Sequence, residues 1–414
     1  MKYLVLLLIG LYVPSAISDE ISNVDIENVI QSLQIAIDAK VDRKVPDDAY
    51  LTISQYVTKY GYSFESHEIT TEDGYILELQ RIPAKIQGAP AALFVHGLAC
   101  SAIDWVNQGP NASLALLMSD LGYDIWLFNS RGSINGMKHE TFNSSTAEFW
   151  SFSFHEKGYY DLKATVDHII ETTSLEKITL IGHSEGTSSA MVLASTRSEY
   201  NDKFNLVVFL SPISYMGGVT SPLILFLTSI LDELVILVNA VGFHGFAYSE
   251  QFAHLLVSAC SIDGITQICG NLLGALAGPD IEQLDLDQLL IFFSSKPSGV
   301  SARQLIHYGQ EILADTFREY DYGAIENYVK YGSTSPPVYN VSQITAPVAA
   351  YYSSNDYFAG VTSVERLVSE LPNVVDQYLI EYEQFNHLDF ILAKDVKTMI
   401  YDRVISLVSK FNPL

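Results

Sequence analysis

Short apolar runs separated by amphipathic segments recur along most of the chain. Strand-like runs occupy residues 75–79, 91–95, 124–128, 178–181, 205–210, 348–352 and 378–381, and helical spacing occupies 112–121, 159–171 and 391–409. A strand buried on both faces is apolar throughout, as residues 91–95 are. The alternation of strand and helix predicts an α/β fold, with a mostly parallel central sheet flanked by helices.

The alternation stops between about residues 211 and 308, where long apolar helical stretches follow one another. One of these stretches covers residues 223–241 and has the acidic pair Asp232 and Glu233 in its middle. Two carboxylates there exclude a membrane span, because their burial in lipid is costly. We therefore expect a helical insertion with apolar faces between two parts of the sheet.

The motif Gly182-His183-Ser184-Glu185-Gly186 lies between the predicted strand at 178–181 and a helical stretch at 187–200. This order resembles the nucleophile elbow of α/β-hydrolases, in which a sharp turn presents a serine hydroxyl at the edge of the sheet. The flanking glycines keep the tight approach free of Cβ atoms. Ser184 is therefore the candidate nucleophile.

A serine hydroxyl needs a base, and the base needs an orienting acid. In this fold the chain order is serine, acid, histidine. Of the ten histidines, only His244, His254, His307 and His387 follow Ser184, and the first three lie in or at the end of the helical insertion. His387 follows a core strand, so it is the predicted base.

Asp356 is the predicted acid, because it lies in the loop that follows the strand at 348–352. Catalytic groups gather at such strand ends in open α/β sheets. Asp389 is too close to His387 in sequence to orient its ring, and a structural role in the loop is expected for it. The oxyanion hole needs two backbone N–H groups, which we assign to Glu185, after the nucleophile, and Leu98, after the strand at 91–95.

The chain resembles the acid lipase family of α/β-hydrolases, which includes gastric and lysosomal acid lipases and their insect relatives. The resemblance starts near Pro46 and is carried by Thr71-Glu-Asp-Gly-Tyr-Ile-Leu77, His96-Gly-Leu98, Asp104-Trp105, Gly122-Tyr-Asp-Ile-Trp126, Asn129-Ser-Arg-Gly132, Phe149-Trp-Ser-Phe152, Gly182-His-Ser184 and Asn386-His-Leu-Asp-Phe390. It implies the same triad and oxyanion hole, with a core at 46–211 and 306–414 and a cap with a mobile lid at 212–305. It also implies hydrolysis of carboxylic esters in neutral lipids, triacylglycerols or steryl esters, at a lipid–water interface.

Glu185 departs from the glutamine that usually follows the nucleophile in this family. A carboxylate near a developing oxyanion opposes it, although the helix N-terminus partly offsets the effect. We hypothesise that Glu185→Gln gains activity more at neutral than at acidic pH. The alternative is that the side chain faces solvent and changes little.

The N-terminus reads as an export signal over residues 1–18, followed by a polar lead-in of unassigned function at 19–45. We therefore expect a secreted protein, with a lysosomal or other luminal compartment as the alternative. Behind such a signal, and in agreement with the family's cap disulfide, Cys260 and Cys269 are predicted to pair, which leaves Cys100 as a packed free thiol. Candidate glycosylation sites are Asn111, Asn143 and Asn340.

The chain carries 48 Asp and Glu against 23 Lys and Arg, which disfavours nucleic acid as a partner. No cofactor, metal or transmembrane segment is implied, and we expect a monomer. The alternative function from a different class is a non-catalytic lipid carrier or storage protein on a lipase scaffold. A hydrolase for another class of ester is a third reading, because fold and triad do not separate these substrates.

Overall fold

The computed structural model describes residues 44–262 and 264–414. The predicted signal peptide at 1–18 and almost all of the predicted lead-in at 19–45 lie outside the described residues. The fold is therefore that of the region from Lys44 onward.

A nine-stranded, mostly parallel sheet forms the centre, as the apolar pattern predicted, in the order β1-β2-β4-β3-β6-β7-β10-β11 with β5 beside β2. Its strands are β1 (Glu65–Thr70), β2 (Tyr75–Ile82), β3 (Ala91–Val95), β4 (Asp124–Leu127), β5 (Lys138–His139), β6 (Ile178–His183), β7 (Phe204–Leu210), β10 (Val348–Tyr352) and β11 (Val374–Leu379). The pairs from β4 through β11 are parallel, whereas β1, β2 and β5 pair antiparallel. Every residue of β3 and β10 is buried, because packed layers cover both faces of the sheet.

Helices surround the sheet and fill the long insertion. The α-helices are Ile53–Lys59, Leu114–Leu121, Phe154–Glu156, Lys163–Thr173, Glu185–Thr196, Pro222–Ser229, Leu231–Ala240, Glu250–Cys260, Ile265–Ala277, Leu286–Phe293, Ala302–Ala314, Ala324–Tyr331, Val361–Glu370, Asp389–Leu392 and Asp402–Phe411. Short 3₁₀ turns occur at Ala102–Trp105, Ser198–Lys203 and Val341–Gln343, and π-helical turns at Lys157–Leu162 and Lys397–Tyr401. Two predicted helices are therefore interrupted, the one at 223–241 and the one at 391–409.

The apolar stretch at 223–241 folds as two helices, Pro222–Ser229 and Leu231–Ala240, bent by 71° at Ile230. The Ser229 hydroxyl donates to the Phe226 carbonyl at 2.7 Å, a local bond that competes with continued helix. We call this pair the lid helices. Within residues 44–262 and 264–414, no single helix is long and apolar enough to cross a bilayer. Two bent helix pairs reach the required length and composition only when their members are taken together: the lid helices, and Glu250–Cys260 with Ile265–Ala277.

The insertion between β7 and β10 also contains a two-stranded sheet, β8 (Gly245–Ala247) with β9 (Gly299–Ser301). Within the same insertion, a disulfide with an S–S distance of 2.06 Å joins Cys260 and Cys269. Cys100 is free and buried. Directly after β9 comes the helix Ala302–Ala314, which we call the cavity helix. The predicted cap boundary between residues 305 and 306 falls inside this continuous helix.

Candidate active site

The turn at Ser184 joins β6 to the helix Glu185–Thr196, which we call the elbow helix. Ser184 has φ 54° and ψ −124°, a strained conformation for a residue with a side chain. A Cβ on Gly186 would lie 2.3 Å from the Val95 carbonyl oxygen, so only glycine fits there. The turn thus presents the Ser184 hydroxyl at the carboxyl ends of the strands, as the motif predicted.

Three side chains from different strand ends meet at this turn. Nε2 of His387 lies 2.8 Å from Oγ of Ser184, and Nδ1 of His387 lies 3.0 Å from each carboxylate oxygen of Asp356. All three residues are buried. Burial opposes ionisation of Asp356, but the imidazole of His387 and a hydroxyl of Ser211 hold its pKa below the usual value. This arrangement can transfer the serine proton to the imidazole and stabilise the resulting imidazolium.

The other histidines and the neighbouring aspartate have structural contacts instead. His307 is fully buried and stacks on Phe154 at 4.1 Å between ring centroids, and burial lowers its pKa to about 3. Asp389 accepts a hydrogen bond from the Asn386 amide at 2.6 Å, which is the structural role expected within the loop. His183 contacts the His387 carbonyl oxygen through Nε2 at 2.9 Å and helps to fix that loop.

Ser211, the residue directly after β7, was not predicted from the sequence. Its hydroxyl donates to Oδ2 of Asp356 at 2.5 Å and lies 2.7 Å from Nδ1 of His387. Ser211 is fully buried and has φ 53°, a left-handed backbone conformation, and its hydroxyl points at Asp356. The strand-end rule that found Asp356 could have found it, because it is the polar residue that ends the neighbouring strand.

The two amides predicted to form the oxyanion hole lie beside Ser184. Leu98 and Ser184 line one cavity, and in the part of the chain that the structure describes neither the Leu98 nor the Glu185 amide donates to a protein acceptor. His96 is buried, accepts from the Ser130 amide at 3.2 Å and therefore donates from Nδ1 to the Gly97 carbonyl at 2.8 Å. That carbonyl belongs to the same peptide plane as the Leu98 N–H, so His96 fixes the direction in which this donor points.

The Glu185 side chain does not face solvent, so the solvent-exposed alternative is wrong. Its Oε1 lies 2.8 Å from Nζ of Lys157, and its Oε2 accepts from Nε2 of Gln304. The exposed fractions of the Lys157 and Glu185 side chains are 3% and 2%. Our hypothesis assumed that the Glu185 carboxylate has no partner, whereas the structure pairs it with the ammonium group of Lys157. A single sequence does not reveal this partner.

A cavity of about 440 Å³ opens at Ser184, and its lining is almost entirely apolar. The lid helices cover it with Ile224, Leu227, Leu231, Leu234 and Val238, and the cavity helix contributes Leu305, Ile306 and Ile312. Such a space suits a long hydrocarbon chain next to a reactive hydroxyl.

The three candidate glycosylation sites do not belong to the cluster around Ser184. Asn111, Asn143 and Asn340 are exposed, as an acceptor of a glycan requires. Among the described residues, no three His, Cys, Asp or Glu side chains form a group that could hold a metal ion.

Two family models match the chain: a partial alpha/beta-hydrolase lipase region over residues 53–109 and the alpha/beta hydrolase fold over residues 90–232. Lipase 3 of Drosophila melanogaster is 36% identical, with a match that spans 85% of this chain and 91% of that protein. Gastric triacylglycerol lipase of Homo sapiens is 33% identical over 87% of this chain and 91% of its own.

The chain belongs to the acid lipase family of α/β-hydrolases. It is a carboxylic ester hydrolase, and the family resemblance drawn from the motifs is confirmed. Among solved structures, the alpha/beta hydrolase GrgF from Penicillium sp. sh18 matches this acid lipase with a TM-score of 0.51 at 15% identity, over 85% of this chain and 100% of that one. That likeness concerns the fold alone.

Proposed function

We propose that this acid lipase hydrolyses the carboxylic ester bonds of neutral lipids, with Ser184 as nucleophile, His387 as base and Asp356 as acid. The observation that carries the proposal is the hydrogen-bonded chain from Ser184 through His387 to Asp356, at 2.8 and 3.0 Å. The apolar cavity beside Ser184 and the name of its relative, a gastric triacylglycerol lipase, support a lipid substrate.

The proposed reaction has two halves. Oγ of Ser184 attacks the ester carbonyl carbon while Nε2 of His387 takes the hydroxyl proton, and the amides of Leu98 and Glu185 bind the oxyanion. The intermediate collapses, and His387 returns the proton to the departing alcohol. Water, deprotonated by His387, then attacks the acyl-enzyme, so that the fatty acid leaves and Ser184 regains its proton.

Contact with a lipid–water interface is proposed for the lid helices. Phe226 and Ile236, on these helices, expose 61% and 68% of their surfaces. Other side chains of the same helices line the cavity. Exposed apolar side chains on these helices favour binding to a lipid surface, and such binding would move the lid helices away from the cavity. Secretion is proposed on the export signal, and a mature N-terminus near Asp19 on the exported protein would support it.

Loss of hydrolysis in Ser184→Ala tests the proposal. A medium-chain ester is the substrate, and thermal unfolding shows that the variant folds. We expect kcat to fall by roughly 10⁴-fold or more. Cleavage at the wild-type rate would refute the assignment of Ser184 as the nucleophile.

A further inference from the structure

A buried ion pair lies immediately behind the nucleophile. Lys157 begins the π-helical turn Lys157–Leu162, and Glu185 begins the elbow helix. The turn approaches that helix so closely that a Cβ on Gly158 would lie 2.4 Å from the Ser189 carbonyl oxygen. This contact brings the ammonium group of Lys157 within 2.8 Å of the Glu185 carboxylate, in a region closed to solvent.

The second carboxylate oxygen is held from the cavity helix. Gln304 donates to it through Nε2 and is itself fixed at the start of that helix, where its amide donates to the Ser301 hydroxyl at 2.9 Å. Both oxygens of Glu185 therefore have partners, one from the π-helical turn and one from the helix that lines the cavity. The orientation of the Glu185 residue, and with it that of its amide, is thus restrained from two sides.

The other ionisable groups that face the pair are neutral at ordinary pH. His96, from the loop after β3, is buried, and burial together with the Lys157 charge lowers its pKa to about 4. Tyr308, from the cavity helix, has a buried hydroxyl. Burial, and to a lesser extent the Glu185 charge, raises the pKa of Tyr308 well above the usual value. Burial likewise raises the pKa of Cys100. Lys157 is therefore the group whose charge balances the carboxylate.

We propose that Lys157 is a positioning residue for ester hydrolysis: it neutralises the carboxylate that follows the nucleophile, so that the transition state develops its negative charge next to a balanced pair. Glu185 and Lys157 together replace the neutral glutamine usual in the family. The inference rests on the proposed function, because it concerns the oxyanion that Ser184 would generate.

Removal of the ammonium group alone creates an uncompensated negative charge one residue from the nucleophile. In Lys157→Met that carboxylate opposes the oxyanion as long as it is ionised. We expect kcat in Lys157→Met to be roughly 0.01–0.1 of the wild-type value near pH 8, with KM little changed.

The pair is tested by four proteins assayed with one soluble medium-chain ester: wild type, Lys157→Met, Glu185→Gln and the double variant. The double variant should recover most of the kcat that Lys157→Met loses. Glu185→Gln should unfold more easily, because it leaves Lys157 buried without a counter-charge, and its kcat should gain no more at neutral than at acidic pH. Lys203→Met, which breaks the partly exposed pair with Asp167, is the matched control and should leave kcat unchanged.

If Lys157→Met does not fold, Lys157→Gln serves in its place, because it keeps a hydrogen-bond donor without the charge. A kcat in Lys157→Met equal to that of the wild type, or a double variant no more active than Lys157→Met, would overturn the inference. Ser184→Ala assayed in parallel separates this outcome from failure of the proposed function, which would show as hydrolysis that survives loss of Ser184.

Discussion

The hydroxyl oxygen of Ser211 lies 2.7 Å from Nδ1 of His387. The same hydroxyl donates to Asp356, so the proton of Nδ1 is shared between a carboxylate and a neutral oxygen that also stabilises that carboxylate. Ser211 therefore belongs to the acid side of the cluster, where it fixes both the charge of Asp356 and the direction of the imidazole ring.

Ser211→Ala should lower kcat about 10-fold with little change in KM, because Asp356 loses one hydrogen bond to its charged form. Steady-state kinetics on a soluble ester measure the effect. Ser353→Ala is the control: this buried serine follows β10, and its hydroxyl has no partner among the described side chains. Equal kcat in Ser211→Ala and wild type would show that the hydroxyl contributes only packing.

Asp389 should make the protein less stable as pH rises. Burial raises its pKa to about 8 from 3.8, and Asp280 and Asp356 add to the rise against the opposing hydrogen bond from Asn386. Because the folded state holds this proton more tightly than the unfolded state, the contribution to stability is full below about pH 4 and is lost as pH rises to about 8.

Asp389→Asn removes the titrating group and keeps an oxygen that can accept from the Asn386 amide. Its free energy of unfolding, measured by chemical denaturation between about pH 4 and pH 8, should fall less steeply with pH than that of the wild type. Parallel curves for the two proteins would contradict a raised pKa at this position.

Arg131 should contribute strongly to the free energy of unfolding. It lies in the motif Asn129-Ser-Arg-Gly132, exposes 1% of its side chain and forms ion pairs at 2.6 Å with Asp73 and 2.7 Å with Asp161. Arg131→Met leaves the carboxylate of Asp161 buried without its cation, which should cost about 3–5 kcal/mol in the free energy of unfolding.

The matched control for Arg131 is Arg403→Met, which breaks a more exposed pair with Asp376. That change should cost less than about 1 kcal/mol. Similar losses in the two variants, measured by chemical denaturation, would mean that burial does not decide the strength of these pairs.

The lid helices should matter for substrate at an interface more than for substrate in solution. We expect Phe226→Ser with Ile236→Ser to lower activity on an emulsified triacylglycerol several-fold and to leave activity on a soluble short-chain ester within about twofold of the wild type. Ile86→Ser is the control, because Ile86 is 74% exposed in the loop between β2 and β3, away from the carboxyl ends of the parallel strands. Equal losses on both substrates would contradict an interfacial role.

The buried strands were predictable from the sequence because packing on both faces leaves an unbroken apolar signature. Residues 91–95 and 348–352 match β3 and β10 at both ends. The edge strand β1 was not predicted, since only Ile69 of its six residues is buried and the rest of it is polar or half exposed. The bend between the lid helices also has no apolar signature, because a local serine hydrogen bond helps to create it.

The order of residues along the chain selected Ser184, Asp356 and His387, and the structure brings these side chains within hydrogen-bond distance. The partners of Glu185 were beyond the reach of one sequence. Lys157 and Gln304 precede and follow it by 28 and 119 residues, and only the packing of three separate elements unites them.

Covalent labelling with an organophosphonate ester tests whether Ser184 is the nucleophile. The wild-type protein is treated with the probe and digested, and the modified residue is located by mass spectrometry. We expect one adduct, on Ser184, together with loss of ester hydrolysis and strongly reduced labelling in His387→Ala. No adduct on Ser184 in a preparation that hydrolyses the ester, or an active-site adduct on another residue, would contradict it.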